Sequence, residues 1–319
     1  MVKQQLDSAL RGSVTDLSDK LDALEARYPL DPALAYSYAC SALHEINSLA
    51  RELELAGHSR AEIVMMFARI RRTMASSPLG FHMQNWPSGY HGDFGAVEYI
   101  ASGVNRAQAD TFAFSLEQAM LHSGIVQQHR YKLHCQSEAY LRAFGEHAFR
   151  PRILSVGCGG CRDLLPLLCV LRHFEGELVL NDIDAAALVF ASERLRPATQ
   201  HFRTVCANIT SVVRLLRQEG RFDLIVAGGL FDYIPDRLLR HVLKGMYRDL
   251  LAPGGAMLFT NIDEGNPFRP LMTYAVDWEL IERSREAIRA LCEESSIPAE
   301  CVEFEREESQ LTWIVRLRK

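Results

Sequence analysis

Long apolar runs are missing from this chain: no stretch reaches the roughly 18 continuous apolar residues that a membrane helix needs. Its opening, MVKQQLDSALRGSVTDLSDKLDAL, is too polar for a secretory leader. A surplus of positive charge is missing as well. Residues 1–150 carry 14 Lys and Arg against 16 Asp and Glu, and residues 151–319 carry 21 against 24, for a net charge of −5. Neither half can coat a phosphate backbone, so nucleic acid is not an expected partner, and neither is membrane insertion. Internal repeats and low-complexity tracts are also lacking. The eight cysteines are scattered and follow no leader, which reads as reduced thiols in a cytoplasm. Cys158 and Cys161 have the spacing of a metal or redox pair. No second CxxC or His pair stands at zinc distance, so no metal is expected there. What is present is globular: 319 residues, 48% hydrophobic and 24% charged, enough for one large domain or two unequal ones.

The first part of the chain reads as helices. Segments 15–27, 32–56 and 59–75 space apolar residues by three and four, and in the last of these Ile63, Met66, Phe67, Ile70 and Met74 form one stripe. That stripe is either core or the wall of a tunnel for an acyl chain. Asp31-Pro32 and Ser59 suit helix starts. Residues 76–95 break the pattern with Pro78, Gly80, Pro87, Gly89, Gly92 and Gly95 among aromatics. A helical stretch follows over roughly 106–148, interrupted near Gly124. Histidines 122, 129 and 134 fall on it at spacings of seven and five. The latter does not put His129 and His134 on one face, so a metal pair is not expected.

At Arg150-Pro151 the period changes. RILSVG, ELVLND, HFRTVCAN, FDLIVAGG and AMLFTNI alternate with helical runs. That alternation implies right-handed βαβ units and a parallel sheet covered on both faces. The closing runs CVEFERE and QLTWIVRLRK can pair as an antiparallel edge hairpin. The expected division is therefore 1–149, an all-helical cap, and 150–319, an α/β unit.

The sharpest local signal is Ser155-Val156-Gly157-Cys158-Gly159-Gly160-Cys161, a buried strand ending in a tight turn that opens a helix. Gly157 and Gly159 allow close approach of backbone to a ligand, and the helix start offers N–H groups to an anionic group. About 25 residues on, ELVLND ends in Asp182. An acidic side chain there accepts bonds from ribose hydroxyls; otherwise it is a loop residue or cap. After the fourth strand, Phe231, Asp232 and Tyr233 stand on the carboxyl side of the sheet, where ligands bind in open α/β folds. Tyr233 is expected near a cation and Asp232 near substrate or an amine, the alternative being that the aromatics only pack. Trp86 to Phe94 reads as a lid or as an irregular connection, with Tyr90 and Asp93 its candidate site residues. Asn266 to Trp278 interrupts the alternation. In it Arg269 suits a substrate carboxylate, or else a surface ion pair, and Tyr274, Asp277 and Trp278 suit a pocket wall.

In order, SVGCGGC, LVLNDIDAAAL, VCANI, FDLIVAGGLFDYIPD and LLAPGGAMLFTNI resemble the class I S-adenosylmethionine-dependent methyltransferases over residues 150–319. The resemblance implies a Rossmann-like fold and S-adenosylmethionine as cofactor. It places Gly157, Cys158 and Gly159 under the cofactor's methionine part and Asp182 on its ribose. Ile183 then packs on adenine, Asn208 and Ile209 lie at the adenine edge, and Gly229 lies near the methionine part. Ser155 stands where the family has an acidic residue, and Cys161 where it has a third glycine. The segments GYHGDF, GCGGCRDLL, GGLFDYIPD and NPFRPLMTYAVDWELIERS are similar to bacterial 3-hydroxy fatty acid methyl ester synthases. That narrower likeness implies esterification of a hydroxy fatty acid or another small carboxylic acid. Two other readings stay open: intramolecular cyclisation of the cofactor to an azetidine with release of methylthioadenosine, and a cofactor-binding regulatory module.

Overall fold

The structure, a computed structural model, describes residues 2–146 and 150–319. Contacts divide the chain into two compact units, one of residues 1–127 with 267–279, the other of 128–266 with 280–319.

The first unit is helical: α1 (Val2–Ala26), α2 (Pro32–Leu55), α3 (Arg60–Met66), α4 (Ala68–Met74), α5 (Pro78–Asn85), α6 (Phe94–Ser102) and α7 (Phe112–His122). The starts are built from side chains that accept the free N–H groups of a first turn. Asp31 accepts from Leu34 N ahead of Pro32, and Ser59 and Glu62 form a reciprocal capping box. On α2 the small residues Ala35, Ala39, Ala42 and Ala50 are fully buried with Ile46 and Leu53, which lets neighbouring helices approach closely. The stripe expected over 59–75 is present but split at Phe67. Ile63, Phe67, Ile70 and Met74 are buried in the first unit, as core residues are. Helix α5 lies inside the segment read as irregular, because Ser77 caps it and Pro78 fits a first-turn position.

Helix α8 (Gly124–Glu146) follows, then β1 (Arg152–Val156), α9 (Leu168–Leu171), β2 (Glu177–Asp182), α10 (Ala185–Leu195), β3 (Phe202–Cys206) and α11 (Ile209–Leu216). After these come β4 (Phe222–Ala227), α12 (Asp236–Gly245), β5 (Leu251–Ile262), α13 (Arg269–Ala275), α14 (Arg285–Glu294), β6 (Val302–Arg306) and β7 (Thr312–Arg318). The sheet order is β3-β2-β1-β4-β5-β7-β6, with β1 to β5 parallel and β7 antiparallel to both neighbours. The closing hairpin is thus present, with β7 slotted inside and β6 at the edge. This is the Rossmann-like class I methyltransferase fold expected from the sequence, accompanied by an N-terminal helical region.

Strand residues alternate between two cores, as a pleated strand buried on both faces requires. Leu154, Val156, Val179, Ile225, Ala227, Met257 and Phe259 meet residues of α11, α12 and α14 on one face. Ile153, Leu178, Leu180, Leu224, Val226 and Leu258 meet Tyr140 and Ala143 of α8 and residues of α9 and α10 on the other. That packing places most of α8 in the second unit, ahead of the boundary expected at 149/150. Residues 147–149, which adjoin that boundary and include the expected end of the helical stretch, lie outside the described residues. Among the described residues no helix is long and apolar enough to cross a membrane.

Candidate functional site

At the carboxyl end of β1 the chain turns through Gly157 (φ 59°) and Gly159 (φ 50°), a left-handed path that glycine takes without strain. Cys161 also adopts φ 52° as it leads into the short turn Arg162–Leu167. The turn is pinned to the end of β2 at two points. Cys158 N donates to Asn181 O at 2.9 Å, and Gly159 N donates to Asp182 Oδ2 at 2.8 Å. Asp182 Oδ1 accepts from Asp184 N at 3.0 Å. Burial raises the Asp182 carboxyl above its ordinary value, against the N–H groups of Asp184, Gly159 and Ile183 that favour its ionised form. Next to it Ile183 is 64% exposed, an uncovered apolar side chain at a strand end. Asn208 caps α11: its Oδ1 accepts from Thr210 Oγ1 at 2.7 Å and from Ser211 N at 2.8 Å. The oxygen expected to meet an adenine amino group is therefore taken, and only the amide N–H groups remain to face a ligand. Ile209 packs partly buried against the adjoining core.

Asp163, just after the turn, is a titrating group that the sequence did not single out. Desolvation pushes its carboxyl up to about 6, against hydrogen bonds that favour the charge. A carboxyl raised on folding gives its full stability below the unfolded value near 3.8, and that stability is lost as pH rises through about 6. Asp163→Asn is therefore expected to flatten the stability curve between pH 4 and 7. By the linkage of pKa to stability, it should gain up to about 3 kcal/mol at pH 8. Urea midpoints measured across pH check this, and an unchanged slope would count against a buried, protonated Asp163.

The loop after β4 is the most firmly held part of the second unit. Gly229 (φ 80°) donates its N–H to Thr260 Oγ1 at 2.8 Å. Asp232 is buried, accepts at Oδ1 from Ile262 N at 2.8 Å, and accepts at its backbone oxygen from Ile281 N at 2.7 Å. Burial raises its carboxyl, while Lys132, the Ile262 N–H and Arg283 act in the opposite sense. Arg283 itself, 3% exposed, donates to Phe231 O at 2.8 Å, Ile234 O at 2.6 Å and Asn261 Oδ1 at 2.6 Å, and pairs with Asp236 Oδ1 at 2.8 and 2.9 Å. One guanidinium thus fixes the whole segment that carries Asp232 and the half-buried Tyr233. Phe231 packs against Phe259 at 5.1 Å between ring centres and belongs to the core.

Helix α8 lays a polar face on this loop. His129, Lys132 and Gln136, at spacings of three and four, share that face and are all buried. A Cβ on Gly228 would sit 2.2 Å from Gln136 Nε2, and one on Gly229 would sit 2.8 Å from Lys132 Nζ. Lys132 Nζ faces Asp232 Oδ2 at 3.9 Å, too long for a hydrogen bond. Desolvation lowers the Lys132 ammonium, opposed by Asp232 and Glu307. His129 is held neutral by burial, with Lys132 and Arg130 adding to the effect. Of this helix His129 and His134 drew notice in the sequence, and neither was favoured. Lys132 and Gln136 did not, since their i,i+4 spacing shows no chemistry until the glycines of the loop lie beneath them.

In the first unit the expected site residues turn out to be engaged structurally. Arg269 places both guanidinium nitrogens on Glu54, at 2.8 and 2.5 Å, and Tyr274 donates its hydroxyl to the same carboxylate at 2.5 Å. Asp277 pairs with Arg60 at 2.5 Å. These contacts tie α13, and Asp277 just beyond it, to α2 and α3. Asp93 is fully buried as the cap of α6, accepting from Ala96 N at 2.8 Å and Ser88 N at 3.2 Å and pairing with His82 at 2.7 Å. Burial opposes its charge, but these three partners outweigh that and hold the carboxyl below its ordinary range. Asp93 thus serves as the cap of α6. Trp86, also buried, donates Nε1 to Asp277 O at 3.1 Å and meets Trp278 at 6.0 Å between ring centres. The segment expected as a lid is therefore anchored at both ends, with Tyr90 half-buried between them.

Residues 153–255 match a family model described as a methyltransferase domain. This stretch carries β1 to the start of β5, with the glycine turn, Asp182 and the loop after β4. A curated highly reducing polyketide synthase from Fusarium pseudograminearum is 25% identical over 212 residues, covering 63% of this chain and 8% of that protein. The chain thus spans a small fraction of that relative's length. A solved structure described as a possible exported protein from Bordetella parapertussis covers 91% of this chain and 97% of its own, at 17% identity and a TM-score of 0.58. The N-methyltransferase NodS from Bradyrhizobium japonicum, solved with S-adenosylhomocysteine, covers 58% of this chain and 85% of its own, at 19% identity and a TM-score of 0.41.

The cofactor of a methyltransferase domain is S-adenosylmethionine, and the residues here fit it. The left-handed turn at Gly157 and Gly159 leaves backbone N–H groups at a strand end. Asp182, tied to that turn, keeps lone pairs for ribose hydroxyls beyond the two N–H groups it accepts. Exposed Ile183 offers a flat base an apolar surface.

Proposed function

We propose that the chain is an S-adenosylmethionine-dependent methyltransferase that esterifies the carboxylate of a small molecule, with a hydroxy fatty acid as the substrate class its sequence resembles. The observation that carries the reading is the bond from Gly159 N to Asp182 Oδ2, which joins the glycine turn and the acidic end of β2 into one nucleoside site.

When bound, S-adenosylmethionine supplies a methyl carbon made electrophilic by a sulfonium. The chain's own residues then have three tasks. Gly157, Cys158, Gly159 and Asp182 hold the cofactor, with Ile183 and the amide of Asn208 toward its base. The loop around Asp232 and Tyr233, braced by Arg283, carries a ring and a carboxylate of the kinds that attract a cation. Burial of Asp232 marks a dry environment, in which these attractions are stronger than in water. A carboxylic acid is already ionised at neutral pH, so the acceptor loses no proton in the transfer. What remains is alignment of its oxygen with the methyl carbon and exclusion of water.

The test is product identification. Purified chain is incubated with S-adenosylmethionine, with and without 3-hydroxydecanoate. S-adenosylhomocysteine and a methyl ester are expected only when the acid is present. Methylthioadenosine formed without any acid would sink the reading, because that product comes from cyclisation.

A further inference from the structure

We propose that the buried face of α8 formed by Lys132 and Gln136, set on Gly228 and Gly229, is a carboxylate-binding site, and this rests on the methyltransferase reading above.

Polar groups on this face lack hydrogen-bond partners. Gln136 is 3% exposed, and among the described residues its Nε2 finds no hydrogen-bond acceptor. Lys132 is 7% exposed, and its ionic partner Asp232 stands 3.9 Å off. His129 Nε2, one turn before, is buried without a partner as well. Buried polar groups are nearly always satisfied, because each unmet donor keeps its desolvation cost. Unmet donors on a single helix face need a common acceptor. Lys132 Nζ and the Gln136 amide both lie against the glycines that follow β4, so an acceptor shared by them sits beside that loop.

The donors also give its chemistry. An ammonium and an amide N–H together favour an anion with two oxygens. Asp232 occupies the other side of Lys132, its Oδ1 already used by Ile262 N. Asp232 already offsets the charge of Lys132, so a carboxylate adds one negative charge to this face where a phosphate would add two. Two carboxylates reach this part of a methyltransferase site, that of the cofactor's methionine arm and that of the acceptor acid.

The experiment separates them. Titration calorimetry on Lys132→Met and Gln136→Leu uses S-adenosylhomocysteine, methylthioadenosine, which lacks the amino-acid arm, and 3-hydroxydecanoate with S-adenosylhomocysteine present. Loss of one charge-assisted bond corresponds to a roughly tenfold to hundredfold weakening. If Lys132→Met weakens S-adenosylhomocysteine by that factor and leaves methylthioadenosine within about twofold, the site holds the methionine carboxylate. If the nucleosides are unaffected and the acid is weakened, the site holds the acceptor. Gln136→Leu should move the same ligand by a smaller factor, and its neutral change keeps the test alive should Lys132→Met not fold. The proposal is overturned if a folded variant binds all three ligands like the parent. If instead S-adenosylhomocysteine binding depends on Lys132 while no acid is ever methylated, the carboxylate site stands and the methyl-transfer reading falls.

Discussion

Replacing Asp182 by alanine is expected to weaken S-adenosylhomocysteine binding by about a hundredfold, the loss of two charge-assisted bonds to ribose hydroxyls. The structure adds a second route to the same loss. Asp182 also receives Gly159 N and Asp184 N, so the variant frees the glycine turn from the end of β2. Asp182→Asn separates the two contributions. An asparagine can keep the bond from Gly159 through its oxygen but presents one acceptor oxygen in place of two, so an intermediate affinity is expected. Equilibrium binding with thermal melts run in parallel reads both. Parent-like affinity in a folded Asp182→Ala protein would mean that the ribose is held elsewhere.

Arg283→Met is expected to cost about 3–5 kcal/mol in stability, because several buried acceptors lose their donor at once, each at about 1–3 kcal/mol. The guanidinium satisfies the backbone oxygens of Phe231 and Ile234, the Asn261 amide oxygen and Asp236 together. Its removal leaves the Ile234 oxygen and the Asn261 amide oxygen without their donor, and the Phe231 oxygen with only the 3.3 Å bond from Ile234 N. Denaturant unfolding should show the loss in midpoint. Turnover at a temperature where the variant is folded should fall further than cofactor affinity, because the proposed nucleoside contacts lie at the ends of β1 and β2. A loss below about 1 kcal/mol would mean that the loop is held without Arg283.

The two arginines show where the sequence could be read and where it could not. Arg269 and Arg283 both stand among acidic and aromatic residues after β5, and spacing alone does not tell them apart. The partner of Arg269 is Glu54, 215 residues earlier, and that of Arg283 is the loop after β4. Only folding discloses that one fastens α13 and the other braces the loop. Strands β1, β2 and β4 were legible because burial on both faces demands nearly unbroken apolar runs. The turn at Gly157 and Gly159 was legible because only glycine adopts its path freely. Asp93 was placed at the site by the character of its loop and Asn208 by resemblance, and both cap helices. Asp and Asn serve caps and ligands with the same atoms, and residue identity cannot divide those uses. Lys132 and Gln136 were silent because a buried polar face on a helix looks like an ordinary solvated one until its cover is known.

Hydrogen–deuterium exchange with and without S-adenosylhomocysteine tests the nucleoside site most directly. Protection is expected at the backbone amides of 157–160 and 182–184, with a smaller change at 228–233. Protection confined to other segments, or none at saturating ligand, would contradict the placement of the cofactor at the ends of β1 and β2.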